Sequence, residues 1–318
     1  MKNVVVIGGG TGLSAMMTGL KALKDVHLSA IISVADDGGS TGRLRDAYKT
    51  PAMGDVRHVL CAMAEDDNGI FSELMNFRFS GEGDVGGHQL GNLIFVALEQ
   101  ITGSFMGAVQ EISHVLNVKG NILPCSLDNC ILFARMMDGT LVRGEKNIPD
   151  RENSIDEVFY QVPVKAYQKA LDAIVEADLI IYGIGSLYTS IMPNVIIDQI
   201  TEAIYANPCQ KVYFCNAMTQ PGETDGFSVA DHVRALEKHV GRMPVDIVVV
   251  NSTPVCKPAA SRYQALGSYP VELDGTEEGY RILARPLIML DDKKRIRHNP
   301  KAVAAAVSEL LALAKEKD

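Results

Sequence analysis

The sequence predicts an α/β fold: a Rossmann-like, doubly wound, mainly parallel sheet carrying a small antiparallel hairpin as an appendage. Three observations carry this expectation. The chain opens on a β-branched run that ends in glycines and passes into a helical repeat. Strand-like and helix-like segments then alternate through most of the 318 residues. The strand-like segments are near-continuous apolar runs, as a sheet covered by helices on both faces requires.

In order, Asn3 to Ile7 is the first strand, and Leu13 to Leu23 repeats apolar residues at helical spacing after Gly8-Gly9-Gly10-Thr11-Gly12. A second strand, Leu28 to Val34, ends in Ala35-Asp36-Asp37-Gly38-Gly39-Ser40-Thr41-Gly42. Two strands joined by a short helix imply a parallel pair. Helical patterns follow over Asp55 to Ala64, Ile70 to Phe77, Gln89 to Gln100 and Phe105 to Val115. Then the character changes: Ile131 to Met136 and Thr140 to Arg143 flank Asp138-Gly139, a hairpin turn pair. Residues 121–148 are read as the appendage of a single domain spanning 1–318. The alternation resumes with helix Val164 to Glu176, strand Asp178 to Tyr182, helix Asn194 to Tyr205 and strand Lys211 to Cys215. Helix Val229 to His239, strand Asp246 to Asn251, an extended segment Arg281 to Met289 and a helix Lys301 to Lys315 complete the chain.

With 47% apolar and 22% charged residues, the chain can bury a sizeable core. A formal net charge of -9 argues against a general electrostatic grip on nucleic acid. Cys61, Cys125, Cys130, Cys209, Cys215 and Cys256 form no Cys-x-x-Cys pair, so neither a zinc knuckle nor a redox motif is suggested. Met1-Lys2-Asn3 leads straight into a strand, without a signal peptide, and no apolar run reaches the roughly 18 residues of a membrane helix. The expectation is a soluble cytoplasmic protein with no nucleic-acid or membrane partner.

The chemistry concentrates at the strand ends. A strand opening through glycines into a helix aims backbone N–H groups and the positive end of the helix dipole at one point, which suits a phosphate. Gly8, Gly9, Gly10, Thr11 and Gly12 fit that role, although a dinucleotide fingerprint would have glycine where Leu13 stands. Asp36 and Asp37 end the second strand, where a carboxylate binds a ribose hydroxyl or holds a divalent ion against phosphates. Ser40, Thr41 and Arg43 follow them in a glycine-rich loop. Asp55 and Arg57 open the next helix, with Asp55 either a cap or a ligand contact. His88 and Asn92 lie one turn apart among glycines, spaced to face one cavity. A second glycine loop, Gly183-Ile184-Gly185-Ser186-Leu187-Tyr188-Thr189-Ser190, should emerge at the same sheet edge as the first. There Gly183, Gly185 and Leu187 shape the backbone, while Ser186 and Ser190 offer hydroxyls. Asn216, Thr219 and Glu223 follow a further strand, and Tyr263 and Arg297 are later candidates for stacking on a base or pairing with a phosphate. There is no nucleophile elbow, no zinc helix and no Walker lysine, and the catalytic residues are left unassigned.

Six ordered motifs carry a family resemblance: the first glycine loop, Asp36 to Gly42, Gly54-Asp55-x-Arg57, Gly87-His88-x-x-Gly91-Asn92, Gly185 to Ser190, and Asn216-x-x-Thr219-Gln220-x-Gly222-Glu223-Thr224. Together they resemble the gluconeogenesis factor family, CofD-like proteins related to 2-phospho-L-lactate transferases. That resemblance implies a binder of a uridine diphosphate sugar, such as uridine diphosphate N-acetylglucosamine. It implies a regulator needed for cell shape and wall synthesis on gluconeogenic carbon, acting through an amino-sugar or wall-synthesis enzyme, with a homo-oligomer as a candidate assembly. By the same resemblance, Asp36, Asp37 and Asp55 stand where the transferases place metal-associated carboxylates. No cofactor is then required, with magnesium a candidate ion and a nicotinamide dinucleotide (NAD) a surrogate ligand. Two rival readings stay open: a magnesium-dependent transferase of a phosphorylated group, and a nicotinamide-dependent oxidoreductase.

Overall fold

β-Branched side chains are restricted in a helix and pack well on a pleated surface, and the valine-rich run Lys2–Gly8 forms β1. In the computed structural model, which describes residues 1–66, 69–149, 153–274 and 279–315, Val4, Val5, Val6 and Ile7 are fully buried. α1 (Gly10–Leu20) turns Leu13, Met16, Met17 and Leu20 into the core, a stripe at helical spacing. It leads to β2 (Val26–Ile32), which pairs with β1 in parallel. Five helices intervene before the next strand: α2 (Gly39–Tyr48), α3 (Gly54–Met63), α4 (Ile70–Asn76), α5 (Leu90–Thr102) and α6 (Phe105–Val115). β3 (Asn121–Pro124) then joins β2 in parallel. β4 (Leu132–Met136), β5 (Leu141–Arg143) and β6 (Ile155–Tyr160) make a separate antiparallel sheet in the order β5-β4-β6.

The second half runs α7 (Gln168–Val175), β7 (Leu179–Tyr182), α8 (Met192–Val195), α9 (Asp198–Ala206), β8 (Gln210–Phe214), α10 (Val229–Val240), β9 (Ile247–Asn251), α11 (Lys257–Gln264) and β10 (Arg281–Arg285). A hairpin of β11 (Ile288–Leu290) and β12 (Ile296–His298) precedes α12 (Pro300–Lys315). The main sheet has the order β10-β9-β8-β7-β1-β2-β3, with every neighbouring pair parallel. The chain thus builds outward from β1 on one side, returns, and builds outward on the other. Between β1 and β7 the connections leave in opposite directions, and a crevice opens beyond their carboxyl ends.

The doubly wound fold with its antiparallel appendage is the one the sequence predicts, with three local differences. The appendage does not coincide with residues 121–148: Asn121–Pro124 is the edge of the main sheet, while Ile155–Tyr160 supplies the appendage's third strand. A two-stranded hairpin is marginal alone, and the third strand provides the apolar face it lacks. The glycine loop at Gly39 is the first turn of α2, whose poor helix formers are held by burial of Leu44 and Arg45. The helix expected over Asn194 to Tyr205 is broken at Ile196-Ile197 into α8 and α9. No single helix among the described residues is long and apolar enough to cross a membrane.

Candidate functional site

A cavity of about 1150 Å³ occupies the crevice. One wall is the start of α1, where Gly9 takes the N-cap position in extended conformation and supplies no side-chain cap. Gly10, Thr11 and Gly12 line the cavity, so their first-turn N–H groups stand beside it at the positive end of the helix. The facing wall is the segment after β7, which passes from Gly185 and Ser186 into a π-helical turn at Leu187–Ile191. Such turns recur at functional sites. Gly12 is where the walls touch: a Cβ there would lie 2.1 Å from the Ile184 carbonyl oxygen. Asn194 fastens the same junction, its Nδ2 donating to the Gly8 carbonyl at 3.1 Å and the Ser190 carbonyl at 2.8 Å. Ser186, Thr189 and Ser190 line the cavity, whereas Gly8, Gly183 and Leu187 are buried beneath it.

Carboxylates form the floor. Asp36, at the end of β2, accepts from the Gly38 N–H at 2.8 Å, and Asp55 stands in the first turn of α3 close against Gly9. Burial first, and then the neighbouring Asp55, raise the Asp36 carboxyl above its ordinary pKa. Two more acids enter from elsewhere. Glu145, from the appendage, is pushed up to about 8 by burial and then by Asp36 and Asp55. Glu223, from the loop after β8, is pushed up to about 7 by burial, against the pull of the Ser186 and Thr189 hydroxyls. That loop is tied to the facing wall: Asn216 Nδ2 donates to the Gly185 carbonyl at 2.8 Å and Gln220 Nε2 to Ser186 Oγ at 2.7 Å. Thr219 lines the cavity while its hydroxyl accepts from the Tyr269 N–H at 2.9 Å. At the mouth stands the β11–β12 hairpin. Tyr263 Oη accepts from the Ile296 N–H at 3.0 Å, and Asp291 holds Arg295 at 2.7 Å with Arg297 at 3.8 Å. His298 is kept neutral by burial, its pKa pushed down to about 4.

Residues 4–288 match the family described as 2-phospho-L-lactate transferase CofD. The chain belongs to the CofD family. Two relatives named gluconeogenesis factor fall within the same likeness. The one from Bacillus subtilis is 43% identical over 312 residues, covering 97% of this chain and 98% of the relative. The one from Halalkalibacterium halodurans is 42% identical over 318 residues, covering 97% and 96%. A crystal structure of a Bacillus halodurans protein superposes with a TM-score of 0.92 at 41% identity, covering 98% of this chain and 99% of that one.

In this CofD-family chain several residues expected at the site do not line the cavity and form a layer behind its wall. Arg57 is fully buried, with Nε on Asn92 Oδ1 at 2.9 Å, Nη1 on the Met75 carbonyl at 2.8 Å and Nη2 on Gln89 Oε1 at 2.9 Å. Asn92 Nδ2 reaches Ser40 Oγ at 3.2 Å and Thr41 Oγ1 at 3.4 Å. Ser40 also accepts from the Gln89 N–H at 3.3 Å, which leaves its own proton for His88 Nδ1 at 3.1 Å. This serine–histidine pair is packed outside the cavity and supports it. From here the Thr41 hydroxyl reaches Asp36 and lowers its pKa, so the layer orients the floor. Arg43 is exposed and donates to the Gly86 carbonyl at 2.9 Å. Polar side chains among glycines read alike in sequence whether they face a cavity or one another.

Asp37 also departs from expectation. Its Oδ1 accepts from the Lys146 N–H at 3.1 Å, so it latches the appendage and leaves Asp36 and Asp55 as the floor pair. Among the described residues no three of His, Cys, Asp and Glu are grouped to hold a metal ion by themselves. Magnesium, however, commonly takes one or two carboxylates, completing its shell with phosphate oxygens and water. Asp36 and Asp55 fit that pattern, with Asp37 outside it. Sequence reasoning missed Glu145, Asp291 and Arg295. The signal for Glu145 was local: it follows Gly144, whose φ of +93° turns the chain out of β5.

The raised carboxyls have a consequence for stability. Glu145 and Glu223 titrate near 8 and 7 when folded, above the ordinary 4.5, so the folded state holds more protons between those values. Their contribution is complete below about pH 4.5 and is lost as pH rises through 7 and 8. The ligand-free protein should therefore melt at a lower temperature at pH 8.5 than at pH 6. Glu145→Gln and Glu223→Gln should each flatten that difference, and a melting profile unchanged by both substitutions would contradict it.

Proposed function

We propose that this CofD-family protein is a cytoplasmic regulator that binds a uridine diphosphate sugar, uridine diphosphate N-acetylglucosamine foremost. It signals the level of that sugar to an amino-sugar or wall-synthesis enzyme when cells grow on gluconeogenic carbon. One observation carries the reading: the uncapped first turn of α1 faces Ser186 and Ser190 across a cavity spacious enough for a nucleotide sugar. The relatives' name, gluconeogenesis factor, supports the metabolic setting. With magnesium present, Asp36 and Asp55 would hold the ion against the diphosphate, where it would offset the repulsion between phosphates and floor.

A second reading is favoured by the same carboxylate pair. A transferase that moves a phosphorylated group to an acceptor hydroxyl would use Asp36 and Asp55 in that way, as the family's description suggests. Calorimetry with uridine, guanosine and nicotinamide nucleotides, with and without magnesium, decides the ligand. The regulator reading expects tight binding of the uridine diphosphate sugar without turnover. Release of free nucleotide, or transfer to an added acceptor, would overturn it in favour of the transferase.

A further inference from the structure

Glu145 and Glu223 belong to neither wall that faces the diphosphate. One arrives from the appendage and the other from the loop after β8, and both line the cavity. Glu145 is in place because the appendage is docked at two points. Asp37 holds the Lys146 N–H on one side, and on the other Gly222 packs so closely that a Cβ there would meet the Pro149 carbonyl oxygen at 2.0 Å. Glu223 is 7% exposed, and its two oxygens differ. Oε1 accepts from the Thr189 hydroxyl at 3.3 Å, while Oε2, also buried, has no hydrogen-bond partner among the described residues. A buried acceptor left unpaired is costly, and Glu223 itself lines the cavity, where a ligand donor can approach its carboxyl.

The chemistry of that donor follows from the surroundings. The charges that act most on Glu145 are Asp36, Asp55, Glu223 and Asp37, all acidic. A phosphate or carboxylate set directly against Glu145 and Glu223, with no cation between, would be repelled when these carboxyls are ionised. A group that brings hydroxyl or amide N–H donors and no negative charge would not be. Arg295 and Arg297, by contrast, gather at Asp291 on the mouth hairpin. We propose that Glu145 and Glu223 form the subsite for the uncharged, hydroxyl-bearing sugar of the nucleotide ligand, each accepting hydrogen bonds from it. This rests on the nucleotide-sugar reading and adds which residues recognise the sugar.

The test compares free uridine diphosphate with uridine diphosphate N-acetylglucosamine by calorimetry at pH 9, where both carboxyls are acceptors only, magnesium present, on the unmodified protein, Glu223→Gln and Glu145→Gln. In Glu223→Gln the amide oxygen keeps the Thr189 bond and the NH2 takes the place of Oε2, turning an acceptor into a donor. The preference for the sugar-bearing nucleotide over the free one should fall about tenfold in Glu223→Gln and several-fold in Glu145→Gln. Thermal melts accompany both, and the partly buried Glu145 carries the test if Glu223→Gln does not fold. Binding of both ligands with the preference unchanged in the variants overturns the subsite alone. If neither ligand binds the unmodified protein, the nucleotide-sugar reading falls and takes the subsite with it.

Discussion

Gly12→Ala is expected to abolish ligand binding, with affinity lowered more than a hundredfold, while costing about 2–4 kcal/mol of stability. The added methyl would lie 2.1 Å from the Ile184 carbonyl oxygen, 2.6 Å from its carbon and 3.0 Å from the Gly185 Cα. All three are backbone atoms, so no side chain can rotate away. Relief requires the two walls of the crevice to part, and the groups that face each other across it are then out of register. A displacement of about 1 Å is enough to spoil an oriented site. The separation also pulls on Asn194, which bonds to both walls. Gly83 is the control, since a Cβ there meets nothing within 4 Å and alanine should change neither quantity. Urea denaturation and calorimetry read the two effects. Full binding by Gly12→Ala would show that the walls are not held together as described.

Arg57→Lys should unfold the protein at markedly lower urea, a loss of about 3–5 kcal/mol, and Arg57→Met should do the same. This guanidinium is fully buried without a carboxylate in hydrogen-bond contact among the described residues. Its acceptors are the Met75 carbonyl and the side chains of Asn76, Gln89 and Asn92, with His58 as a further neighbour at 2.7 Å. Burial lowers its pKa to about 10, still charged at neutral pH. A lysine has one nitrogen and cannot repeat a planar fork that reaches α4 and α5 together. Each acceptor left behind in the interior costs free energy of its own. The damage should spread to the floor of the crevice, because Asn92 links Arg57 to Ser40 and Thr41, and Thr41 to Asp36. Against a typical total stability of about 5–15 kcal/mol, the loss is large. A change below about 1 kcal/mol would mean that water takes the place of the fork.

The sheet and both glycine-bearing walls of the crevice were legible because glycine at a strand end is a local signal, readable without knowledge of the partner. Thr11, Ser186 and Ser190 follow from that signal alone. The roles of Asp36 and Asp37 were not separable, since adjacent residues point to different neighbours and only the docked appendage reveals which one Asp37 holds. Ser40, Arg57, His88 and Asn92 show the same limit at longer range. Their polar character was legible, but the hydrogen bonds they make run to one another. Glu145 was invisible because it reaches the crevice from a second sheet whose placement depends on contacts at both Asp37 and Gly222. Helix α2 was hidden by its composition, with glycines, a serine and a threonine that win helical form only through packing.

The position of β1 also sets a timetable for synthesis. This valine-rich strand is made before both of its neighbours, and one of them, β7, lies about 175 residues later, at the distance spanned by the Lys2–Asp178 contact. At about 5–20 residues per second that neighbour follows some 10–35 seconds behind. Until then an apolar strand destined for the centre of the sheet keeps one edge unpaired, in a chain that has already made β2 and β3. Such an edge is what attracts other strands and molecular chaperones. The nascent protein is most vulnerable at β1, and the crevice this strand opens onto is completed only when the β11–β12 hairpin and α12 arrive.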